Sequence, residues 1–152
     1  METVLITGAS SGIGCELAKV YAKNNYDLVL VARRIERLKQ LKSEIKKSNP
    51  KIQVKVIEID LSKSKSPEDL FLLLKKENIR IDILINNAGM GVYGNFLELS
   101  KEEMKKIEKM LNLNMIAIVK LTKIFLNKMK THKKGAILNV ASTAAFQPGG
   151  PL

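Results

Sequence analysis

Short apolar runs rich in β-branched residues alternate along the chain with longer amphipathic segments. This alternation is typical of βα units, in which helices cover the buried strands of a parallel sheet. The runs that predict strands are 4–7, 28–31, 52–59, 81–85 and 136–140. The pattern therefore predicts an α/β fold with five parallel strands.

Apolar residues at helical spacing and capping signals predict the helices. Ser66, followed by Pro67, is expected to cap the third helix. Ser100 with Glu103 reads as a capping box for a long helical region that reaches about Met129. The apolar residues at helical spacing in the first predicted helix are Leu17, Val20 and Tyr21. Those in the second are Ile35, Leu38, Leu41 and Ile45.

The length of 152 residues predicts a single domain spanning residues 1–152, and no linker or change in composition marks a second one. A strand at the N-terminus leaves no place for a secretory signal. The apolar run 115–125 is broken by Lys120 and Lys123 and is shorter than the roughly 20 residues that a spanning helix needs. We therefore expect a cytoplasmic protein without membrane contact.

The formal net charge of +11 would by itself suggest an anionic partner. Only four of the 26 basic residues are arginine and aromatic residues are 5% of the chain, whereas nucleic-acid sites favour arginine and stacking rings. We therefore expect solvated lysines and no nucleic-acid partner. Cys15, as the only cysteine, excludes an internal disulfide, and His132 has no neighbouring metal ligand in the sequence, so no metal site is predicted.

A glycine-rich loop joins the first predicted strand to the first predicted helix. Glycines permit positive φ and close backbone approach, and the start of a helix offers unpaired N–H groups to a pyrophosphate. The alternative is a glycine turn that only packs the helix on the strand. The candidate cofactor-binding residues of this loop are Thr7, Gly8, Ser10, Ser11, Gly12, Ile13 and Gly14.

This loop has the form Thr-Gly-x-x-x-Gly-x-Gly, which resembles that of short-chain dehydrogenases/reductases. Three further segments match the same family in order: the motif Asn86-Asn87-Ala88-Gly89, the helical Asn114, and Ser142 after the fifth strand, with Thr143 as its nearest rival. The resemblance spans the whole chain. It implies a three-layer doubly wound (Rossmann) sheet with strand order 3-2-1-4-5, lacking the last strands of the family fold.

The resemblance also implies a role for each matched residue in a hydride-transferring oxidoreductase of carbonyl or alcohol substrates. The loop would hold the pyrophosphate, and Asp60 and Leu61 would lie near the adenine. Asn87, Ala88 and Gly89 would flank the ribose and nicotinamide. Ser142 would hydrogen-bond the substrate carbonyl, and Asn114 would hold a water of the proton relay. As a buried polar residue in an apolar helix, Asn114 needs such a partner.

The residues after the second strand bear on the choice of cofactor. NAD-specific sites place an acidic residue there, but this chain has Ala32-Arg33-Arg34. Arg33 can pair with a 2′-phosphate, and Ser10 and Ser11 can add hydroxyl donors. NADP(H) is therefore favoured over NAD(H), the alternative being a surface arginine pair.

The family's catalytic tyrosine and the lysine four residues after it have no counterpart. The three tyrosines are followed four positions later by Asn25, Leu30 and Leu97, and only ten residues follow Ser142. We therefore expect a fragment that binds NADP(H) weakly without turnover. The alternative is a non-catalytic dinucleotide-binding module. Because the missing helix would cover apolar surface and help form the subunit interface, we also expect a homo-oligomer.

Overall fold

The computed structural model describes residues 1–146 and contains one five-stranded parallel sheet. The strands are β1 Thr3–Thr7, β2 Asp27–Ala32, β3 Val54–Glu58, β4 Ile83–Asn86 and β5 Ala136–Asn139. Their order in the sheet is β3-β2-β1-β4-β5, with β1 at the centre of the sheet between β2 and β4. This order confirms the doubly wound topology.

Helices cover both faces of the sheet, as a parallel sheet requires. The helices are α1 Gly12–Lys23, α2 Ile35–Ser48, α3 Ser66–Lys76, α4 Lys101–Leu111, the π-helix Asn112–Ile116, and α5 Ala117–His132. The π-helix is a single turn that joins α4 to α5, so that helical structure runs from Lys101 to His132. Short 3₁₀ turns lie at Phe96–Glu98 and Thr143–Ala145.

The core consists of two apolar clusters, one on each face of the sheet. Val4 and Ile6 of β1 point to α1 and α2, whereas Leu5 between them points to α3 and α5. All three side chains are fully buried, because alternate residues of a strand face opposite sides. Burying each such side chain contributes about 1.5–3 kcal/mol, so both helix layers are held by the central strands.

The face that α1 buries differs from the one expected. Gly14, Ala18 and Ala22 are the buried residues, at i, i+4 and i+8, whereas the side chain of Val20 is 55% exposed. Small residues bring this helix close to the sheet, which leaves larger side chains at its flanks. Cys15 is half-buried against the same core, and this burial raises the pKa of its thiol.

One capping prediction is wrong and the other is confirmed. Lys65 is the N-cap of α3 and makes no side-chain capping bond, while Ser66 is the first helical residue and is buried. The reason is a preceding turn, in which Ser66 N donates to Lys63 O at 3.1 Å. At α4, Glu103 N donates to Ser100 Oγ at 3.3 Å and Ser100 N donates to Glu103 Oε2 at 2.9 Å, which completes the capping box.

The helical segment Lys101–His132 changes the expectation about membranes. It is 32 residues long, and by length and composition alone it is long and apolar enough to cross a bilayer. The expectation from the sequence rested on the apolar run 115–125, which leaves out most of the N-terminal half of this helical segment. In this fold Leu121 and Phe125 of the segment pack against the sheet and α3. The exclusion of a membrane-spanning helix is therefore not confirmed.

Candidate functional site

The carboxyl ends of the strands open into a cleft of about 1020 Å³. Open α/β sheets bind ligands at this edge, because parallel strands all end there. Twelve of the sixteen predicted site residues line the cleft. They are Gly8, Ser10, Ser11, Ile13, Arg33, Arg34, Leu61, Asn87, Ala88, Gly89, Asn114 and Ser142.

Two glycines of the loop are required by packing, and a third faces open space. A Cβ on Gly8 would lie 2.8 Å from Ala88 Cα, and one on Gly14 would lie 2.7 Å from Gly8 O. Gly12 has a φ of +57°, and a Cβ added to it would have no other atom within 4 Å. The packing interpretation therefore accounts for Gly8 and Gly14, whereas the left-handed backbone accounts for Gly12.

The N-terminus of α1 lies beside this loop and is electrostatically suited to an anion. Ser11 is the N-cap residue but makes no side-chain capping bond, and the first turn contains no acidic residue. The first N–H groups of a helix have no partners within the helix and carry a partial positive charge. The end of α1 can therefore receive a phosphate.

Arg34 joins the end of β2 to the glycine loop. Its Nη2 donates to Ser10 Oγ at 3.0 Å and to Ser11 Oγ at 2.7 Å. Because both hydroxyl oxygens act as acceptors here, their own hydrogens can be donated to a ligand. Arg33 lines the same end of the cleft. The guanidinium group of Arg34 and the two hydroxyl groups thus lie together beside the loop, and Arg33 adds a second positive charge to the cleft lining.

Thr7 fastens the loop to the motif after β4. The buried Thr7 Oγ1 donates to Ile85 O at 3.2 Å and accepts from Asn87 N and Ala88 N, both at 3.0 Å. In return, Asn87 Nδ2 donates to Thr7 O at 2.9 Å and to Gly8 O at 3.4 Å. Thr7 itself does not line the cleft, but its hydrogen bonds position Asn87 and Ala88, which do.

Asp60 is also absent from the lining of the cleft. Its Oδ1 accepts from Ser62 N at 3.0 Å and from Ser62 Oγ at 2.8 Å. Partial burial acts to raise the pKa of Asp60, but the Ser62 bonds, with Arg33 and Lys63, outweigh it and lower the pKa below its usual range. The neighbouring Leu61 is buried and provides the apolar surface there. Contact between Asp60 and an adenine stays a prediction.

Asn114 is exposed, so its expected burial was wrong. It lies in the π-helix, where Asn114 Nδ2 donates to Met90 O at 2.8 Å and Met90 N donates to Asn114 Oδ1 at 3.0 Å. The amide thus pairs with the backbone of the loop after β4, and this loop satisfies it. A π-turn within an α-helix often marks a functional site.

Ser142 lies beyond the end of β5, which is held against β4 by the bond from Val140 N to Asn86 O at 2.9 Å. Ser142 Oγ accepts from Ala144 N at 3.1 Å, so its hydroxyl hydrogen can be donated to a carbonyl. Ser142 lines the cleft, whereas its rival Thr143 does not. The motif Pro148-Gly149-Gly150-Pro151, predicted to be a loop, lies outside the described residues.

The sequence interpretation missed an apolar wall of the cleft. The wall comprises part of the loop after β4 and one face of the helical segment. Its helical members could have been found, because Met110, Asn114 and Ile118 recur at intervals of four residues. Among residues 1–146, no group of histidine, cysteine and carboxylate side chains could hold a metal ion.

A sequence model described as short chain dehydrogenase matches residues 2–151. The chain belongs to the short-chain dehydrogenase family. This confirms the family resemblance that the motifs carried. The observed strand order, β3-β2-β1-β4-β5, agrees with membership of this family.

Curated relatives are about twice as long as this chain. The very-long-chain 3-oxoacyl-CoA reductase of Homo sapiens is 33% identical over 150 residues, which are 97% of this chain and 46% of the relative. The 17-beta-hydroxysteroid dehydrogenase type 3 of Mus musculus is 32% identical over 152 residues, or 97% of this chain and 47% of the relative. The chain thus spans about half the length of the curated relatives it matches.

Solved structures of the family share the fold closely. A short-chain dehydrogenase from Sphingobium yanoikuyae in complex with NADPH has a TM-score of 0.86 at 37% identity, covering 97% of this chain and 56% of that one. The bulky-bulky ketone specific alcohol dehydrogenase from Comamonas testosteroni has a TM-score of 0.86 at 35% identity, covering 97% and 57%. The three-layer architecture is therefore that of the family.

Proposed function

We propose that this chain provides the NADP(H)-binding part of an oxidoreductase that interconverts carbonyl compounds and alcohols. The observation that carries the proposal is the group formed by Arg33, Arg34, Ser10 and Ser11 beside the uncapped N-terminus of α1. The NADPH complex of the Sphingobium yanoikuyae relative supports a nicotinamide cofactor. The named activities of the reductase and alcohol dehydrogenase relatives support the reaction class.

The residues of the cleft fit such a cofactor. The loop amides and the positive end of α1 would hold the pyrophosphate, and Val31, Ile59 and Leu61 offer an apolar surface for the adenine. An arginine at position 33 or 34 would attract a 2′-phosphate through charge-assisted hydrogen bonds. A carboxylate at the same place would repel it, and the end of β2 carries none.

At the other end of the cleft, the residues fit a carbonyl group. Ser142 can donate its hydroxyl hydrogen to the carbonyl oxygen, and Asn114 fixes the loop after β4 by its bonds to the backbone of Met90. The bound cofactor would supply or accept the hydride. A reduction also needs a proton donor, and the chain contains no Tyr-x-x-x-Lys. We therefore expect this 152-residue chain to bind NADPH without turning over at an enzymatic rate.

A titration of the purified chain with NADPH and with NADH, followed by fluorescence of the reduced nicotinamide, tests the cofactor proposal. We expect NADPH to bind at least about tenfold more tightly, because Arg33 and Arg34 of the cleft lining would attract the 2′-phosphate. Arg33→Asp should reverse the preference. Arg37→Asp is the matched control, since Arg37 is an exposed residue of α2 outside the cleft lining. Equal or tighter NADH binding by the unaltered chain would contradict the proposal.

Turnover is tested separately with a screen of ketones and secondary alcohols, following absorbance of the reduced nicotinamide. Loss of a positioned general acid typically costs about 10²- to 10⁴-fold in rate. Ser142 cannot replace it, because an unactivated hydroxyl is a poor acid at neutral pH. Robust turnover would show that Tyr93 or another group acts as the acid. Binding of NADPH without turnover is the expected result.

A further inference from the structure

The edge of the sheet at which the parallel strands begin lies opposite the cleft. Because each connecting helix runs antiparallel to the strands, α1, α2, α3 and α5 all end at this edge. We define the amino edge as the last turn of each of these helices, the loop that follows it and the start of the next strand, together with the N-terminus. It comprises residues 1–3, 20–27, 45–55, 73–83 and 129–136.

The amino edge carries most of the positive charge of the chain. In about a quarter of the residues it holds eleven lysines and arginines against four carboxylates, which is a net charge of +7 out of +11. Each of the four carboxylates already has a partner within this edge. The partnerships are Glu2 with Lys134, Asp27 with Gln53 N, Glu77 with Lys55, and Asp82 with Arg80 and Thr3 N. The excess charge is therefore left on lysines.

Seven lysines of the amino edge are exposed and form no ion pair within residues 1–146. They come from the ends of all four helices, so the charge is spread over both helix layers and along a sheet about 19 Å wide. They are Lys23, Lys47, Lys51, Lys75, Lys76, Lys130 and Lys133. A distribution this broad fits an extended anionic surface and not a single small anion.

Stabilisation of helix ends accounts for only part of this charge. Cations in the last turn of a helix interact favourably with its dipole. Lys133, however, follows α5 with a φ of +52°, in the left-handed region that glycine and asparagine favour. At the turns after α1 and α3 the chain has Asn25 and Asn78, with φ of +64° and +55°. Lysine is a less favourable residue than asparagine for this backbone, so the fold itself does not account for the charge at position 133.

The composition of the amino edge favours a lipid surface over a nucleic acid. Its one arginine, Arg80, is paired with Asp82. Its two tyrosines, Tyr21 and Tyr26, are half-buried and pack edge to face with ring centroids 5.1 Å apart. Neither a free arginine nor an exposed ring is thus offered to a base. Lysines are compact, hydrated charges that suit the diffuse negative potential of anionic headgroups.

We propose that the amino edge docks this chain on the surface of a membrane that contains anionic lipids. Each basic residue close to such a surface raises the affinity by roughly fivefold, so a few of the seven lysines suffice for measurable binding. The cleft, at the opposite edge, then faces away from the membrane. The sequence suggested solvated lysines because it does not show that four helix ends meet at one edge. The amino edge lies outside the cleft, so this docking does not depend on the proposed function.

The test is co-sedimentation of the full 152-residue chain with vesicles. Vesicles of about one-third phosphatidylserine and two-thirds phosphatidylcholine are compared with vesicles of phosphatidylcholine alone, at about 0.1 M and about 0.5 M NaCl. We expect at least about tenfold tighter binding to the phosphatidylserine vesicles at the lower salt concentration, and loss of that difference at the higher one. Equal binding to both vesicles, or a preference that salt does not weaken, would overturn the proposal.

A matched pair of charge reversals locates the contact. The double change Lys75→Glu and Lys76→Glu, at the end of α3, should weaken binding to phosphatidylserine vesicles by about tenfold or more. Lys105→Glu with Lys106→Glu makes the same change in α4 and should weaken it less than about twofold. Lys106 precedes Lys130 by roughly 35 Å along the helical segment, which exceeds the Debye length of about 10 Å. Equal losses in both double variants would reflect net charge alone and overturn the proposal.

Lys133→Asn separates docking from a structural role and remains informative if the α3 variant does not fold. It should be at least as stable as wild type in urea unfolding, yet bind phosphatidylserine vesicles roughly fivefold less tightly. Its control, Lys101→Asn at the start of α4, should not change vesicle binding. Unchanged binding by Lys133→Asn would count against the proposal. Single-stranded RNA at the same phosphate concentration is the last probe, and tighter binding to RNA than to vesicles would assign the edge to nucleic acid instead.

Discussion

Removal of the Thr7 hydroxyl group tests whether its three hydrogen bonds stabilise the junction between the glycine loop and the motif after β4. Thr7→Val keeps the shape of the side chain but removes the oxygen that accepts from Asn87 N and Ala88 N and donates to Ile85 O. Thr7 is 1% exposed, so water cannot readily take the place of the oxygen. The substitution therefore leaves two backbone donors without their acceptor at the point where β1 and β4 meet the cleft.

The expected loss in the free energy of unfolding is about 2–3 kcal/mol. A buried donor left unpaired costs about 1–3 kcal/mol, and the lower part of that range applies because Asn87 and Ala88 are only half-buried. Thr7→Ser keeps the hydroxyl and removes one methyl group, which costs about 0.8 kcal/mol. For a chain of this size, 2–3 kcal/mol lowers Tm by roughly 4–12 °C.

Urea unfolding of the wild-type chain, Thr7→Ser and Thr7→Val, with the m-value as a check on the unfolded state, measures these differences. NADPH titration of the same variants gives a second readout, since Asn87 and Ala88 line the cleft. We expect Thr7→Val to be the less stable variant and to bind NADPH more weakly. If Thr7→Val is as stable as Thr7→Ser, the hydrogen bonds of Thr7 do not stabilise this junction and the reasoning is refuted.

Three further predictions address other parts of the chain. Gly14→Ala should destabilise the fold by about 1–3 kcal/mol in urea unfolding despite the better helix propensity of alanine, because the added Cβ meets Gly8 O at 2.7 Å; a stabilised variant would contradict this. Asp60 has a lowered pKa in the fold, so its contribution to stability is present above the usual value of 3.8 and is lost as the pH falls through the folded-state pKa. Asp60→Asn should thus be less stable than wild type at pH 7 but not in strong acid, and a gap independent of pH would exclude this role. Sedimentation velocity should show dimers or larger species that Val119→Lys shifts towards monomer, because this 66% exposed side chain lies on the apolar outer face of α5; a compact wild-type monomer at micromolar concentration would refute it.

Features that depend on residues close to one another in the sequence were predictable from the sequence. The five strands follow from short apolar runs, and the capping box of Ser100 and Glu103 follows from a spacing of three residues. The motifs at Gly8–Gly14 and Asn86–Gly89 indicated the family, and parallel strands that end at one edge brought them together. In each case the physical interaction is local, or it is imposed by the sheet as a whole.

Only the tertiary structure decided which side chains meet across the cleft. Arg34, and not only Arg33, contacts the loop serines, Asn114 binds the backbone of Met90, and Met110 lies on the apolar wall. These contacts join residues 23 or more positions apart, as between Arg34 and Ser11. Their partners depend on strand register and on how closely α1 and the π-helix approach the sheet. Hydrophobic periodicity specifies which face of an element is buried, but it does not specify these distances, and for α1 even the buried face was set by small residues that permit close packing.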